Sequence, residues 1–206
     1  MTKTTTHKPK SSARERVLHT AEKLFHDHGY NAVSMRDLAN ALDMKQASLY
    51  YHVPDGKEQL FVEVTQRGLH RHQAGIGQAI AGAGPNLEAQ LTAVSHWFIE
   101  QPALNLMPMF ENDMPALSEA SADRLNQLAY QALFSPLTDA FGAAIERGEI
   151  QHHSADHLAG MFLMMIDGVM YAWRTQRTGM ALADLATDMI DMMLNGLRPR
   201  HQGESQ

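Results

Sequence analysis

The sequence predicts an all-α protein of about nine helices, with a three-helix N-terminal helix-turn-helix module followed by a larger helical body. Three observations carry this. Apolar residues recur at helical spacing through nearly all of the 206 residues, and no alternating run marks a strand. Charge is divided: residues 1–72 carry a balance of +3 and residues 73–206 one of −9, with all six lysines among the first 57 residues. A basic module on an acidic body fits a nucleic-acid-binding part joined to a separate one; a solvated basic tail is the plainer reading. The composition, 44% hydrophobic with no cysteine, suits a core built without disulfides and excludes a thiol nucleophile and thiolate-bound metal. The longest uninterrupted apolar stretch, residues 161–166, is too short to span a bilayer. The first ten residues are basic and lack the apolar segment of a secretory signal, so a cytoplasmic location and no membrane partner are expected.

Each element follows from local chemistry. Val17, Leu18, Ala21, Leu24 and Phe25 form the stripe of a first helix, stopped at Gly29. Ser34 caps a second helix carrying Met35, Leu38, Ala39 and Leu42, with Asp37 at the third position after the cap. Asp43-Met44-Lys45 is short enough only for a tight turn, in which Asp43 tolerates positive φ. Gln46 to Val53 reads as a third short helix ended by Pro54, and Asp55 with Glu58 as the capping pair of a fourth that runs to about Ala79. Ala81-Gly-Ala-Gly-Pro85 is the clearest break. Beyond it, Leu87, Leu91, Val94 and Phe98 make a stripe closed by Pro102, and Pro108 and Pro115 break residues 103–116 into short or kinked pieces. Leu125, Leu128, Ala129 and Ala132 begin the next helix, kinked or restarted at Ser135-Pro136 and ended at Gly148. Ser154 caps a long helix to about Thr178, and a last helix covers Leu182 to Leu197.

Two short helices joined by a three-residue turn, after one longer packing helix, have the plan of a helix-turn-helix DNA reader. In the second of them Met44, Leu49 and Val53 face inward, leaving Lys45, Gln46, Ser48, Tyr50, Tyr51 and His52 to present polar groups. Ala21-x-x-Leu24-Phe25-x-x-x-Gly29-Tyr30-x-x-x-Ser34-x-x-x-Leu38-Ala39, then Leu49-Tyr50-Tyr51-His52-Val53, then Lys57-Glu58-x-Leu60, resembles the N-terminal signature of the TetR family of transcriptional regulators. The resemblance covers roughly residues 14–64. It implies a homodimer that binds double-stranded operator DNA through this module and releases it when a small molecule enters the second domain. The domains expected on that basis are a flexible basic arm (1–12), a helix-turn-helix domain (13–60), a ligand-binding and dimerisation body (61–200) and a tail (201–206).

Roles carry over by position. Arg36 matches a base-reading position, and Arg to guanine is the commonest specific contact. Gln46 matches a second such position, suited to adenine, and Lys45 reads guanine or meets phosphate. Ser34, Ser48, Tyr50, Tyr51, His52 and Lys57 match positions that hold the DNA backbone. Tyr50 is the favoured phosphate contact of the tyrosine pair, with local packing the alternative for Tyr51 and His52. Asp43 stands where the family usually has glycine, and Lys45 where a serine often caps the recognition helix. Pro54-Asp55-Gly56 adds a residue before Lys57, a Pro-x-Gly-Lys insert that some members share. The arm, with Lys3, Lys8 and Lys10, is expected to follow phosphate or the minor groove.

The body is less explicit. Eleven of the fourteen methionines fall between Met107 and Met193, and methionine suits a pocket for apolar ligands of varied shape as well as ordinary core. Met189, Met192 and Met193 read as core or dimer interface. Trp97, Met107, Phe110, Phe134, Met161, Met164 and Tyr171 are the candidate pocket, with Asp167, which interrupts the most apolar helix, as its polar anchor. The effector is then small and largely apolar, and the last two helices form the dimer interface. The His153/His157 pair lacks a ligand array, so neither metal nor cofactor is expected. No phosphate-binding loop, dinucleotide fingerprint or nucleophile elbow is present, so no enzyme is expected. A helical small-molecule-binding or adaptor protein with a weak DNA-binding module is the competing reading.

Overall fold

The computed structural model describes residues 10–102, 105–176 and 179–197, and those residues contain helices and turns but no strand. In order they are α1 (Lys10–Ala32), α2 (Met35–Ala41), α3 (Gln46–His52), α4 (Gly56–Ala83), α5 (Leu87–Ile99), the three-residue α6 (Leu106–Pro108), α7 (Glu119–Ala129), α8 (Ser135–Glu146), α9 (Ala155–Arg174) and α10 (Leu182–Leu197). A π turn (Tyr130–Phe134) joins α7 to α8 without a break, so among the described residues the number agrees with the nine expected. Another π turn (Met109–Asp113) and a 3₁₀ turn (Met114–Ala116) follow α6. Each π turn ends two residues before a proline, Pro115 or Pro136. Proline donates no backbone hydrogen bond and crowds the carbonyl four residues earlier, and a widened turn relieves both.

Some ends differ from expectation. Helix α4 continues to Ala83 rather than stopping near Ala79. Helix α9 ends at Arg174, where the Thr175 hydroxyl donates to the Tyr171 carbonyl; the expected end at Thr178 lies outside the described residues, as do Lys3, Lys8, the side chain of Lys10 and the tail. The Asp55–Glu58 capping pair is replaced: α4 opens at Gly56, and the Glu58 carboxylate accepts hydrogen bonds from the Ser118 hydroxyl (2.5 Å) and the Ser121 hydroxyl (2.6 Å) at the start of α7. A carboxylate at the positive end of a helix is well placed, and these bonds hold Glu58 below the usual carboxylate range.

The chain divides into two compact units. One comprises residues 1–68 together with 107–126, the other residues 69–106 with 127–206. In the first, Val17, Ala21 and Phe25 of α1, Leu38 and Ala39 of α2, Leu49 of α3 and Leu60 and Phe61 of α4 form one buried cluster, joined by Met114 and Leu125. In the second, α8 packs on α9, and α10 on α5 and α9, around Phe98, Phe141, Phe162, Ile166 and Ile190. Trp97 of α5 lies so close over Gly75 of α4 that a Cβ there would come within 2.1 Å of the indole Cε2. No described helix is long and apolar enough to cross a membrane.

Candidate nucleic-acid interface

The turn between α2 and α3 is fixed by backbone chemistry. Asp43 takes φ 51°, as its place in the turn requires; its amide donates to the Asn40 carbonyl (3.1 Å) and that of Met44 to the Ala39 carbonyl (3.0 Å). These two bonds close the last turn of α2. At the other end of α2 the Ser34 hydroxyl accepts from the Asp37 amide (3.2 Å) while the Asp37 carboxylate accepts from the Ser34 amide (2.9 Å), a reciprocal cap. The same serine holds Asp37 below the usual carboxylate range. Lys45 precedes α3 with extended backbone and contributes no side-chain cap, as expected from its substitution for serine.

Leu49 is fully buried and pins α3 to the cluster beneath. With about 100° per residue, the positions opposite Leu49 are Ala47 and Tyr51, flanked by Ser48 and Tyr50. Lys45, Gln46, Ala47, Ser48, Tyr50 and Tyr51 are all exposed, as is Arg36 on α2. Each of these side chains is thus open to solvent on or at the start of a short helix anchored by a buried leucine, Leu38 or Leu49. Tyr51 is 67% exposed against 42% for Tyr50, so the more outward of the pair is the one for which packing is the alternative. Its ring meets His52 edge to face, with His52 half-buried. Ser34 is exposed, but its hydroxyl is already engaged with Asp37.

Lys57 is placed differently from a free phosphate contact. Its ammonium donates to the Tyr30 carbonyl (2.9 Å) and sits 4.0 Å from the centre of the Tyr30 ring, and burial pushes its pKa down. Tyr30, Phe25 and Phe61 pack as an aromatic trio, with Tyr30–Phe61 centroids 5.0 Å apart. The Tyr30 amide donates to the buried Asp113 carboxylate (2.8 Å). Nothing in the sequence singles out Asp113; it stands 83 residues from its partner, and no local pattern marks it.

The eight candidate pocket residues are divided between the two units. Met107 and Phe110 belong to the unit of the reading helices, Phe110 packing against its core and Met107 exposed. In the other unit Trp97 is half-buried and its indole N–H donates to Nδ1 of His72 (3.3 Å). Burial lowers the His72 pKa to about 4. Phe134 stacks on Tyr130, while Met161, Met164 and Tyr171 are exposed along α9. Asp167 is half-buried and accepts from the Leu106 amide (3.3 Å), and burial pushes its pKa up. A backbone amide thus meets one oxygen of the carboxylate read as a ligand anchor. An open hollow of about 490 Å³ lies between the end of α4 and α5, bordered by Ala83, Ala89, Thr92 and His96. The described residues contain no group of three or more His, Asp or Glu arranged to hold a metal.

The model of the family described as "Bacterial regulatory proteins, tetR family" matches residues 17–64, the span of α1 to the first part of α4. The HTH-type transcriptional repressor ComR of Escherichia coli is 31% identical over 171 residues, covering 79% of this chain and 80% of ComR. The HTH-type transcriptional activator FasR of Mycolicibacterium smegmatis is 28% identical over 167 residues, covering 79% of this chain and 73% of FasR. Among solved structures, the TetR family regulator PfmR of Thermus thermophilus superposes with a TM-score of 0.70 at 25% identity, over 89% of this chain and all of PfmR. AibR, in complex with isovaleryl coenzyme A and operator DNA, shares the fold with a TM-score of 0.73 at 22% identity, over 87% of this chain and 97% of AibR. The family model falls on the helices that carry the outward polar surface, and the likeness to ComR extends through most of the body. The chain belongs to the TetR family of bacterial regulatory proteins and is a DNA-binding regulator of transcription.

Proposed function

We propose that the chain is a homodimeric repressor that reads an inverted-repeat operator with α2 and α3 and leaves it when a small, largely apolar effector binds its second unit. The observation that carries the DNA-reading part is the joint exposure of Arg36, Lys45, Gln46, Ser48, Tyr50 and Tyr51 on helices anchored by the buried Leu38 and Leu49. Arg36 and Gln46 read base edges; Lys45, Ser48, Tyr50 and Tyr51 fix register on phosphate, with Tyr51 the more prominent of the tyrosines. Ser34 and Lys57 serve chiefly to hold the module together, since Asp37 and Tyr30 engage them.

The exposed apolar residues of the last two helices support dimerisation there. Met161, Met164 and Tyr171 follow one face of α9, and Met192, 68% exposed, stands on α10, whose other methionines, Met189 and Met193, are core. Pairing α9 and α10 with those of a second copy makes a four-helix interface around a two-fold axis, so the half-sites form an inverted repeat. This assigns Met161, Met164 and Tyr171 to the interface, leaving Trp97 and Phe134 as pocket candidates. The sign of control is taken from ComR, a named repressor at 31% identity; FasR, at 28%, is a named activator. An effector acts only through its preference for the DNA-incompetent state, and tenfold release corresponds to about 1.4 kcal/mol of coupling.

Selection from a random duplex library at near-physiological salt tests the reading. Recovery of one inverted repeat supports it. Binding at low salt only, with no motif, contradicts it and favours a ligand-binding or adaptor role.

A further inference from the structure

The backbone at Gly29 takes φ 78° and ψ 166°, a region open essentially to glycine, and this breaks α1 one residue before Tyr30. Asp113 lies against the break: a Cβ on Gly29 would come within 3.2 Å of its Oδ1. That oxygen accepts the Tyr30 amide at 2.8 Å, and the Lys57 ammonium donates to the carbonyl of the same residue at 2.9 Å. One residue on, the Asn31 side-chain amide donates to the Asn112 carbonyl (3.3 Å). Tyr30 thus has a carboxylate on its N–H and an ammonium on its C=O, both charge-assisted contacts. It stands four residues before Ser34, the cap of α2. Asp113 is buried, and burial pushes its pKa up, opposed by the Tyr30 amide.

We infer that Asp113 is a positioning residue for DNA reading: it clamps the Tyr30 backbone to the π turn 109–113 and so sets the entry of the chain into α2 and α3. The inference rests on the regulator reading and names the contact through which that activity is controlled. Residues 107–126 are the part of the chain beyond residue 68 that belongs to the reading unit, and both of their ends continue into the other unit. The Tyr30 and Asn31 contacts tie this segment to the chain just before the cap of α2. The Glu58 contacts to Ser118 and Ser121 hold the same segment at its far end.

The test compares Asp113→Ala and Asp113→Asn in the full chain. Amide hydrogen exchange at Tyr30 and Asn31 is followed by NMR, and affinity is measured for the duplex recovered by selection. Asparagine keeps an acceptor oxygen and alanine does not, so the expected result is faster Tyr30 exchange and about tenfold weaker specific binding in the alanine variant. The asparagine variant is expected to retain most of both. Helical circular dichroism and the exchange of Leu49, deep in the same core, separate this from loss of fold. Unchanged Tyr30 exchange in Asp113→Ala overturns the clamp, and faster exchange with unchanged operator affinity overturns its positioning role. If the unsubstituted protein selects no sequence, the regulator reading falls by itself, and the exchange data still decide whether the clamp exists.

Discussion

At the scale of single residues, exposure separates the side chains proposed to read DNA from those engaged within the protein. Arg36 and Gln46 are outward, whereas Lys57 faces Tyr30. Replacing either reader with alanine is expected to cost about 1–3 kcal/mol of discrimination at one base pair of each half-site, with little loss on random duplex, measured by competition binding. Gln46 was legible because helical spacing around Leu49 is local information, whereas Arg36 came from the family resemblance. The sequence held no sign of Asp113, whose partner is distant, nor of the Leu106 amide that meets Asp167. His72 carries a pH prediction. Its folded pKa, about 4, lies below that of the unfolded chain, so as pH falls from about 6.5 the unfolded state takes the proton and the folded state does not. Stability is therefore lost between about pH 6.5 and 4, by about 3 kcal/mol in total from this residue. His72→Gln, which keeps an acceptor for the Trp97 N–H, is expected to flatten that part of a denaturation series.

At the scale of elements, caps and close contacts decide where helices sit. The Ser34–Asp37 cap was legible from its spacing and forms as expected, whereas the similar Asp55–Glu58 spacing does not, because Glu58 binds the start of α7. Spacing alone does not reveal a competing partner that arrives from 60 residues away. Ser34→Ala is expected to lower stability by about 1 kcal/mol in urea unfolding. Lys45→Ser should act in two directions. A restored cap on α3 adds about 0.5–1 kcal/mol to stability, while loss of the cation lowers the salt slope of DNA binding by about one. Gly75→Ala forces a methyl into the Trp97 ring and is expected to cost about 1–3 kcal/mol through displaced packing of α4 on α5.

At the scale of the whole molecule, the sequence showed an all-helical chain with a basic reading end, since periodicity and charge balance are global properties of composition and order. It did not show that residues 107–126 join the unit of the reading helices, because that grouping depends on contacts between segments far apart in the chain. Assembly is the other global property. Met164→Glu with Met192→Glu places carboxylates on the exposed apolar faces of α9 and α10 and is expected to give a monomer in analytical ultracentrifugation, with operator binding lost to the extent that both half-sites must be engaged. Deleting residues 1–10 removes three lysines and is expected to weaken binding to all duplexes and flatten its salt dependence. Sequence-specific reading by α2 and α3 is tested by titrating the unsubstituted protein and the Arg36→Ala/Gln46→Ala double variant against the selected repeat and a scrambled duplex at one near-physiological salt concentration. Strong preference for the repeat is expected of the first protein and near-equal affinities of the second. Equal preference in both proteins, or none in either, would contradict such reading.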